Sequence, residues 1–318
     1  MKFNKLAVAT AVAMAFSASA IAVDITPKVS TGSKTGNYAR MFKELQAACK
    51  DQVMMIEVES TGSAVNLDRI LNNEVTSGIV QTDVMFSRAR TEDLTNVKTL
   101  FALYPEEVHF VTLVTSPIKT GGVAGIGAKS IQLGSVSDLT GLPVAAWGGS
   151  VTTARVIQLN AEIAYTVVEV GSFKEAKALL DTGKVAAILM VGGQQMDDVK
   201  TLPVDYKLLP VSEATAGKLK SVYVPAKLNY SNLGQGGAGV PTIATDALFV
   251  TWKYTTPTYV QAMAELRDCF KKNASILAET PGMHKKWRSV DVNNTGKWAS
   301  YDLPAITTVT VTAPAKKK

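Results

Sequence analysis

Five short segments rich in serine, threonine and glycine stand where the sequence predicts the start of a helix. They are "TGSKTGN" (31–37), "STGS" (60–63), "QTD" (81–83), "GGSVTT" (148–153) and "VGGQQ" (191–195). The first turn of a helix carries unpaired N–H groups and a partial positive charge. Such loops often serve only as helix caps, but five of them at matching places favour a shared site for a carboxylate or another small anion.

Two aromatic residues, Tyr38 and Trp147, stand beside the glycine loops and are placed either to wall a pocket or to pack in a core. A carboxylate does not suit an anion site, so Asp83 either caps the helix that it begins or binds the amino group of an amino acid. The candidate ligand-binding residues are Lys34, Thr35, Gly36, Tyr38, Thr61, Gly62, Ser63, Gln81, Asp83, Trp147, Gly149, Ser150, Thr152 and Gly192.

The residue sets of common enzymes are missing from the sequence. Its only histidines, His109 and His284, have no partner at metal-ligand spacing, and there is no G-x-S-x-G nucleophile motif. The segment "GIGAKS" (125–130) resembles the end of a phosphate-binding loop, but Ala128 breaks the G-K-[ST] pattern. We therefore expect no catalytic residue, no metal and no cofactor.

Strands and helices alternate along the chain, which predicts an α/β fold with a mostly parallel sheet. A glycine- and serine-rich stretch, 115–137, separates a first α/β series from a second one, and residues 225–242 again lack periodicity. The first series is predicted to include a helix whose apolar face runs from Tyr38 to Cys49, and strands at 53–59, 77–84, 97–104 and 108–114.

The two series predict two lobes with a ligand cleft between them. Lobe 1 is expected to comprise residues 23–115 and 245–318, and lobe 2 residues 116–244. Hinge crossings are expected near 115–120 and 225–245, because both stretches are aperiodic and contain glycine. In open α/β sheets, ligands bind beyond the carboxyl ends of the strands, which here face the cleft.

Residues 1–22 have the pattern of a signal peptide. Two lysines precede an apolar stretch (6–16) that is too short to span a bilayer, and "SASAIA" offers cleavage after Ala20 or after Ala22. We therefore expect export to the periplasm. The sequence is 47% hydrophobic and 19% charged, as in globular proteins, with a net charge of +6. It has no basic stripe with interleaved aromatic residues, so we expect no nucleic-acid partner.

The sequence contains two cysteines, Cys49 and Cys269. Each lies near the C-terminal end of a predicted amphipathic helix and points at a core. In an oxidising compartment an even pair favours a disulfide, which would close a loop of 220 residues (269 minus 49). Two separate buried thiols are the alternative.

Several segments resemble those of TAXI-type solute receptors, the substrate-binding proteins of one class of TRAP transporters. They are "GSKTGNYARMFKEL", "ESTGSAVNLDRILNNEVTSGIVQTDV", "ALYPEEVHFV" and "AILMVGG". The resemblance implies a type II periplasmic binding fold with two hinged lobes, a small organic anion such as glutamate or a dicarboxylate, and a membrane permease driven by an ion gradient. The altered "WGGSVTT" loop and the long "GGVAGIGAKSIQLGS" stretch depart from that pattern.

The leading hypothesis is therefore a monomeric periplasmic receptor that delivers a small organic anion or amino acid to a TRAP permease. A receptor of similar fold that serves an ABC importer or a sensor kinase is the second hypothesis, and the sequence does not separate the two. A periplasmic enzyme on the same two-lobed scaffold is the third, and the absence of a nucleophile–base pair counts against it.

Overall fold

The computed structural model describes residues 25–120, 129–234 and 237–304. The predicted signal peptide, residues 1–22, lies outside the described residues, as does most of the "GIGAKS" segment. Within the described ranges, no helix is long and apolar enough to cross a membrane.

Twelve strands and eight α-helices are assigned within the described ranges. The strands are β1 (Lys28–Ser30), β2 (Ile56–Val58), β3 (Ser77–Gln81), β4 (Val97–Leu113), β5 (Lys119–Thr120), β6 (Lys129–Ser130), β7 (Pro143–Ala146), β8 (Thr166–Glu169), β9 (Ala187–Gly192), β10 (Tyr206–Leu208), β11 (Val224–Leu228) and β12 (Val240–Trp252). The helices are α1 (Asn37–Cys49), α2 (Ser63–Leu71), α3 (Thr82–Arg88), α4 (Gly149–Ala161), α5 (Phe173–Asp181), α6 (Asp197–Lys200), α7 (Glu213–Leu219) and α8 (Pro257–Glu279). Short 3-10 helices span Val136–Leu139 and Lys285–Ser289.

A single mixed sheet runs through the molecule in the order β2-β1-β3-β12-β4-β9-β7-β8. The strands at each end are parallel to their neighbours: β1 pairs with β2 and β3, and β7 pairs with β8 and β9. The two long strands in the middle, β4 and β12, are antiparallel to each other and to the strands beside them. The alternation of strands and helices predicted a mostly parallel sheet. The observed sheet has a parallel group of strands at each end, and the antiparallel strands β4 and β12 join the two groups.

The long central strands define the two lobes, because each one serves both. In lobe 1 the pairing of β12 with β3 begins at Ala247, opposite Tyr104 of β4. In lobe 2 the pairing of β4 with β9 begins at Glu107, opposite Ala244 of β12. The chain therefore passes between the lobes at residues 105–107 and 244–246.

The position at which β4 passes between the lobes differs from the sequence prediction. Residues 97–104 and 108–114 were expected to form two strands, with the first crossing near 115–120. They instead form the single 17-residue strand β4, and the chain crosses in its middle, at Pro105. Pro105 lies opposite Asp246 of β12, but the pairing of β4 with β9 begins only at Glu107. On the β9 side, therefore, no strand of the described chain lies beside Pro105, and a proline is tolerated at such a position. The other passage, at residues 244–246, overlaps the end of the 225–245 segment, and its role as a hinge stays a prediction.

Helices cover both faces of the sheet in each lobe, so the strands are buried on both sides. Successive residues of one strand belong to different cores: Leu248 packs with the helices on one face and Phe249 with those on the other. In the core under α1 and α8, the rings of Phe101 and Phe270 stack with centroids 3.8 Å apart. Burial on both faces explains why β4 and β12 read as nearly continuous apolar runs.

The disulfide between Cys49 and Cys269 is confirmed. The two residues lie on α1 and α8, their Cα atoms are 5.9 Å apart, and their sulfur atoms are bonded. The bond joins the first helix of the described chain to the last, across the core of lobe 1. It therefore fixes the C-terminal helix on the lobe that contains the N-terminal strands.

We expect the disulfide to contribute to stability through the 220-residue loop that it closes. The chain-entropy relation gives about 5 kcal/mol as an upper value for such a loop. The double variant Cys49→Ser, Cys269→Ser should therefore unfold at lower denaturant than the oxidised protein, and a reductant should lower the stability of the parent protein only. Equal midpoints for the oxidised protein and the double variant would contradict this contribution.

Candidate ligand-binding site

A cavity of about 280 Å³ lies between the lobes, at the ends of the strands and the starts of the helices. We call it the interlobe cavity. Its wall is formed by Gly32, Gly36, Asn37, Tyr38, Thr61, Gly62, Ser63, Gln81 and Glu106 from lobe 1 and by Trp147, Gly148, Gly149, Ser150, Val191, Gly192 and Met196 from lobe 2.

Three helices begin at the interlobe cavity, and each has a glycine as its N-cap. Gly36 precedes α1, Gly62 precedes α2 and Gly148 precedes α4, and none of the three N-termini has a side-chain cap. No Ser or Asp side chain takes up the first-turn N–H groups at these three N-termini. In α4 the N–H groups of Ser150 and Val151 donate to the carbonyl groups of Trp147 and Gly148, so the N–H of Gly149 is the one that α4 offers, whereas among the described residues the first-turn N–H groups of α1 and α2 have no acceptor. Two lobes thus direct helix N-termini at one small volume.

Backbone conformation explains two of these glycines. Gly62 has φ of +122° and Gly148 has φ of +52°, a region that residues with a side chain rarely adopt. A third glycine, Gly149, is required by contact between the lobes, because a Cβ atom there would lie 3.0 Å from the side-chain oxygen of Gln81.

One serine from each lobe is oriented as a hydrogen-bond donor to the interlobe cavity. The Ser63 hydroxyl oxygen accepts the backbone N–H of Gln81 at 3.1 Å, and the Ser150 hydroxyl oxygen accepts that of Val191 at 3.1 Å. A backbone N–H can only donate, so each serine oxygen is an acceptor in that bond and its own O–H remains to be donated. The Ser63 O–H also has the Tyr38 hydroxyl oxygen at 3.5 Å as a long-distance acceptor, because Tyr38 donates its own proton to Glu106. Both hydroxyl groups therefore suit an anionic ligand group.

The side chain of Glu106 introduces the opposite polarity. It lies on β4 at the crossing between the lobes, is 5% exposed and lines the interlobe cavity. Tyr38 donates its hydroxyl to Oε2 at 2.7 Å, and Gln81 donates its side-chain N–H to the same oxygen at 2.9 Å. The other oxygen has only the Tyr104 hydroxyl, at 3.4 Å, and so keeps most of its capacity to accept.

Burial raises the pKa of Glu106 to about 7, because a charged carboxylate loses its hydration there. The hydrogen bonds from Tyr38 and Gln81 act in the other direction, since they favour the charged form. The Lys286 charge also lowers this pKa, but its ammonium group pairs with Glu107 and not with Glu106. Within the described residues no cation pairs directly with the Glu106 carboxylate, so a ligand cation is a suitable partner for it.

A histidine in lobe 2 holds the loop after β9, which supplies Met196 to the cavity. The Glu107 carbonyl lies 2.9 Å from Nδ1 of His109 and can only accept, so Nδ1 carries the proton and Nε2 accepts from the Tyr230 hydroxyl at 2.8 Å. The Tyr230 oxygen in turn accepts the backbone N–H groups of residues 195 and 196. Burial lowers the pKa of His109 to about 4, so this arrangement stays neutral near neutral pH.

Ten of the residues predicted from the sequence line the interlobe cavity: Gly36, Tyr38, Thr61, Gly62, Ser63, Gln81, Trp147, Gly149, Ser150 and Gly192. Four do not. Lys34 and Thr35 are exposed on the outer side of the first loop, where Lys34 pairs with Glu59 at 3.6 Å. Thr152 lies two residues after Ser150 on α4, so it points to another side of the helix.

Asp83 also lies away from the cavity, and its proposed role toward a ligand amino group does not fit this position. It is fully buried between α3 and lobe 2, where its carboxylate accepts from the Thr153 hydroxyl at 2.5 Å, the Tyr223 hydroxyl at 3.0 Å and the N–H of Val84 at 2.8 Å. Burial raises its pKa, while the hydrogen bonds from Thr153 and Tyr223 favour the charged form. Asp83 therefore joins the lobes beside the cavity.

Sequence reasoning missed six wall residues, namely Gly32, Asn37, Glu106, Gly148, Val191 and Met196. One of them left a readable signal. Glu106 and Glu107 are adjacent acids inside a long apolar run, and a buried acid needs a partner. Only the structure separates the two, because Glu107 points to the other side and pairs with Lys286 at 2.9 Å.

Within the described ranges, no group of three or more His, Cys, Asp and Glu side chains is arranged to hold a metal ion. The fold and the cavity define the class: the molecule has the two-lobed fold of periplasmic binding proteins. The sequence profile of the NMT1-like family matches residues 29–285, so the chain belongs to the NMT1-like family.

Several solved structures are similar to this chain. A protein crystallised with bound L-arginine matches with a TM-score of 0.52 and 12% identity, over 84% of this chain and 92% of that one. An arginine transport-system periplasmic binding protein from Legionella pneumophila matches with a TM-score of 0.44 and 12% identity, over 79% and 95%. The GluR0 ligand-binding core from Nostoc punctiforme, with L-glutamate, matches with a TM-score of 0.42 and 15% identity, over 77% and 98%.

The burial of Glu106 should lower the free energy of unfolding of the ligand-free protein near neutral pH. Its folded-state pKa of about 7 exceeds the ordinary value of 4.5, so the folded protein binds an extra proton between those pH values. The free energy of unfolding should therefore fall as pH rises through this window, by on the order of 3 kcal/mol.

We expect Glu106→Gln to remove that dependence and to raise the stability of the ligand-free protein near pH 8, where the parent carries the buried charge. Denaturant unfolding at several pH values between about 5 and 8 measures the difference. Glu59→Gln, at an exposed position on the same lobe, is the control and should follow the parent protein. Parallel pH curves for parent and Glu106→Gln would contradict the burial of a charged Glu106.

Proposed function

We propose that this NMT1-like protein is a periplasmic solute receptor that binds an α-amino acid in the interlobe cavity and delivers it to a membrane permease. The observation that carries the proposal is the Glu106 carboxylate, the one acid among the described residues that line the cavity, facing a wall of hydrogen-bond donors. The polarity of the cavity wall, and not the ligands of the similar structures, supports an amino acid as the ligand.

The donor side of the cavity suits a carboxylate. Three uncapped helix N-termini and the hydroxyl groups of Ser63 and Ser150 converge on it. A carboxylate has two oxygens with about four lone-pair sites, and charge-assisted hydrogen bonds to backbone N–H groups are among the stronger ones. This part of the site agrees with the small anion expected from the sequence.

The Glu106 side suits an ammonium group. An ionised, buried carboxylate repels a second anion, so a plain dicarboxylate would have to bind with Glu106 protonated. An α-amino acid avoids this cost, because its ammonium group pairs with Glu106 while its carboxylate takes the donors. The geometry therefore favours an amino acid over a dicarboxylate, and it moves the amino-group contact from Asp83 to Glu106.

The proposal of a delivery partner rests on the sequence resemblance alone. The TAXI-type resemblance favours a TRAP permease, with an ABC importer or a sensor kinase as the alternative partner. A receptor of this kind works outside the inner membrane, in keeping with the signal peptide predicted for residues 1–22. Closure of the lobes on the ligand would bend β4 and β12 at residues 105–107 and 244–246, where the chain passes between the lobes.

Two probes that differ only in the amino group test the ligand class. L-Glutamate and glutarate have the same carbon skeleton, and isothermal titration calorimetry gives the affinity of each. We expect Glu106→Gln to weaken L-glutamate binding by ~30-fold or more, since it removes the partner of a desolvated charge. Binding of glutarate should be unchanged or tighter, because the repelling charge is gone. Equal losses for both probes would contradict the ammonium contact.

The pH dependence of affinity distinguishes the same alternatives without a mutation. The pKa of Glu106 is about 7 in the ligand-free protein, and an ammonium group binds only to the ionised form. Affinity for an amino acid should therefore fall as pH decreases below about 7, approaching tenfold per pH unit, and level off above it. Tighter binding at low pH would instead indicate a ligand carboxylate that accepts a hydrogen bond from a protonated, neutral Glu106.

A further inference from the structure

The second histidine of the chain lies behind the wall of the interlobe cavity in lobe 1. His284 precedes the 3-10 helix Lys285–Ser289, and its Nδ1 accepts the backbone N–H of Lys286 at 3.2 Å. A backbone N–H cannot accept a hydrogen bond, so Nδ1 of the neutral ring is unprotonated. The ring proton therefore resides on Nε2.

That proton determines the orientation of a cavity residue. Nε2 of His284 lies 3.1 Å from the side-chain oxygen of Asn37, the first residue of α1, and an N–H must face an acceptor. The amide oxygen of Asn37 is therefore turned toward the histidine, and its NH₂ group is the remaining polar group. Within the described residues, no acceptor hydrogen bonds to that NH₂ group, and Asn37 lines the interlobe cavity.

The segment that contains His284 is held firmly on α1. The Glu44 carboxylate accepts the backbone N–H of His284 with both oxygens, each at 3.0 Å, and accepts the indole N–H of Trp287 at 2.6 Å. Trp287 is 1% exposed and packs in the lobe 1 core. The position of the imidazole relative to Asn37 is thus determined by buried contacts.

We propose that His284 is a positioning residue that makes Asn37 a donor-only group in the interlobe cavity, and that Asn37 thereby selects amino acids with a hydrogen-bond acceptor in the side chain. The proposal rests on the proposed function. One α-carboxylate has about four lone-pair sites, whereas the wall offers three helix N-termini, two serine hydroxyl groups and the Asn37 amide. A ligand with a second acceptor group, a carboxylate or a carboxamide, satisfies more of these donors than a ligand without one.

An apolar side chain would leave the Asn37 NH₂ group without a ligand partner, and closure of the lobes on the ligand would exclude the water that could replace it. Sites built around a hydrogen bond reject ligands that lack the matching group for this reason. L-Norvaline has three side-chain carbons, as do L-glutamate and L-glutamine, but no side-chain polar atom. The ratio of the affinity for L-glutamate to that for L-norvaline therefore measures the selection.

The binding test uses that ratio in four proteins. We expect Asn37→Ala to lower it about tenfold or more, the effect of losing a hydrogen bond to a charged group. His284→Phe should lower it in the same direction, because the amide is then free to rotate. Lys34→Ala, on the exposed side of the same loop, is the control and should leave it unchanged. An unchanged ratio in Asn37→Ala overturns the proposal.

The tautomer test needs no ligand. Long-range ¹H–¹⁵N correlation spectra of the imidazole rings distinguish Nε2–H from Nδ1–H, and His284 should be an Nε2–H tautomer that persists in Asn37→Ala. An Nδ1–H tautomer overturns the proposal even if amino acids bind. Should no amino acid bind, the proposed function and the ligand selection both fail. Binding of L-glutamate and L-norvaline with equal affinity defeats the selection alone and leaves the amino-acid receptor standing.

Discussion

The carboxylate of Glu106 lies on β4 at the place where that strand passes from one lobe to the other. A buried acid at this place is costly, since burial raises its pKa to about 7 and the hydrogen bonds from Tyr38 and Gln81 offset only part of the lost hydration. The surrounding structure is arranged to hold it there. Tyr38 belongs to α1 and Gln81 ends β3, so two elements of lobe 1 are fixed to the crossing strand through one oxygen atom.

The rest of the cavity wall offers hydrogen-bond donors where Glu106 offers an acceptor. Backbone N–H groups determine which atoms of the neighbouring side chains donate and which accept. The backbone N–H groups of Gln81, Val191 and Lys286 can only donate, so they determine the roles of Ser63, Ser150 and His284 in turn. A site whose polarity is determined by the backbone needs no rearrangement of protons when a ligand arrives. One acceptor among many donors is the pattern that complements an ammonium group next to a carboxylate.

Much of the fold could be predicted from periodicity. The apolar face of α1 and the alternation of strands and helices predicted two α/β units. The positions of Cys49 and Cys269 on two helices favoured a disulfide over two separate thiols, and the structure contains the disulfide. The central strands could not be placed correctly, because Pro105 reads as a strand end whereas the ladder continues through it. Periodicity describes each element by itself, and the crossing between the lobes depends on which strands pair.

The loop residues that offer backbone groups to a ligand could be predicted from the sequence. The buried acid that faces the ligand could not. Glycine and serine before a helix have a local meaning, so most of the loop residues were found. Asp83 and Glu106 are both buried acids, and their sequence contexts do not show that one joins α3 to lobe 2 while the other faces the cavity. That distinction depends on tertiary packing of β4, α3 and α4.

The most direct measurement is the titration of the Glu106 carboxyl group by NMR, with ¹³C-labelled glutamate in the protein and unlabelled ligand. We expect a pKa of about 7 for Glu106 in the ligand-free protein. Saturation with an α-amino acid should lower that pKa by about one unit or more, because the bound ammonium group stabilises the carboxylate. A pKa that stays the same or rises when the amino acid is bound would contradict the assignment of Glu106 to the ligand's ammonium group.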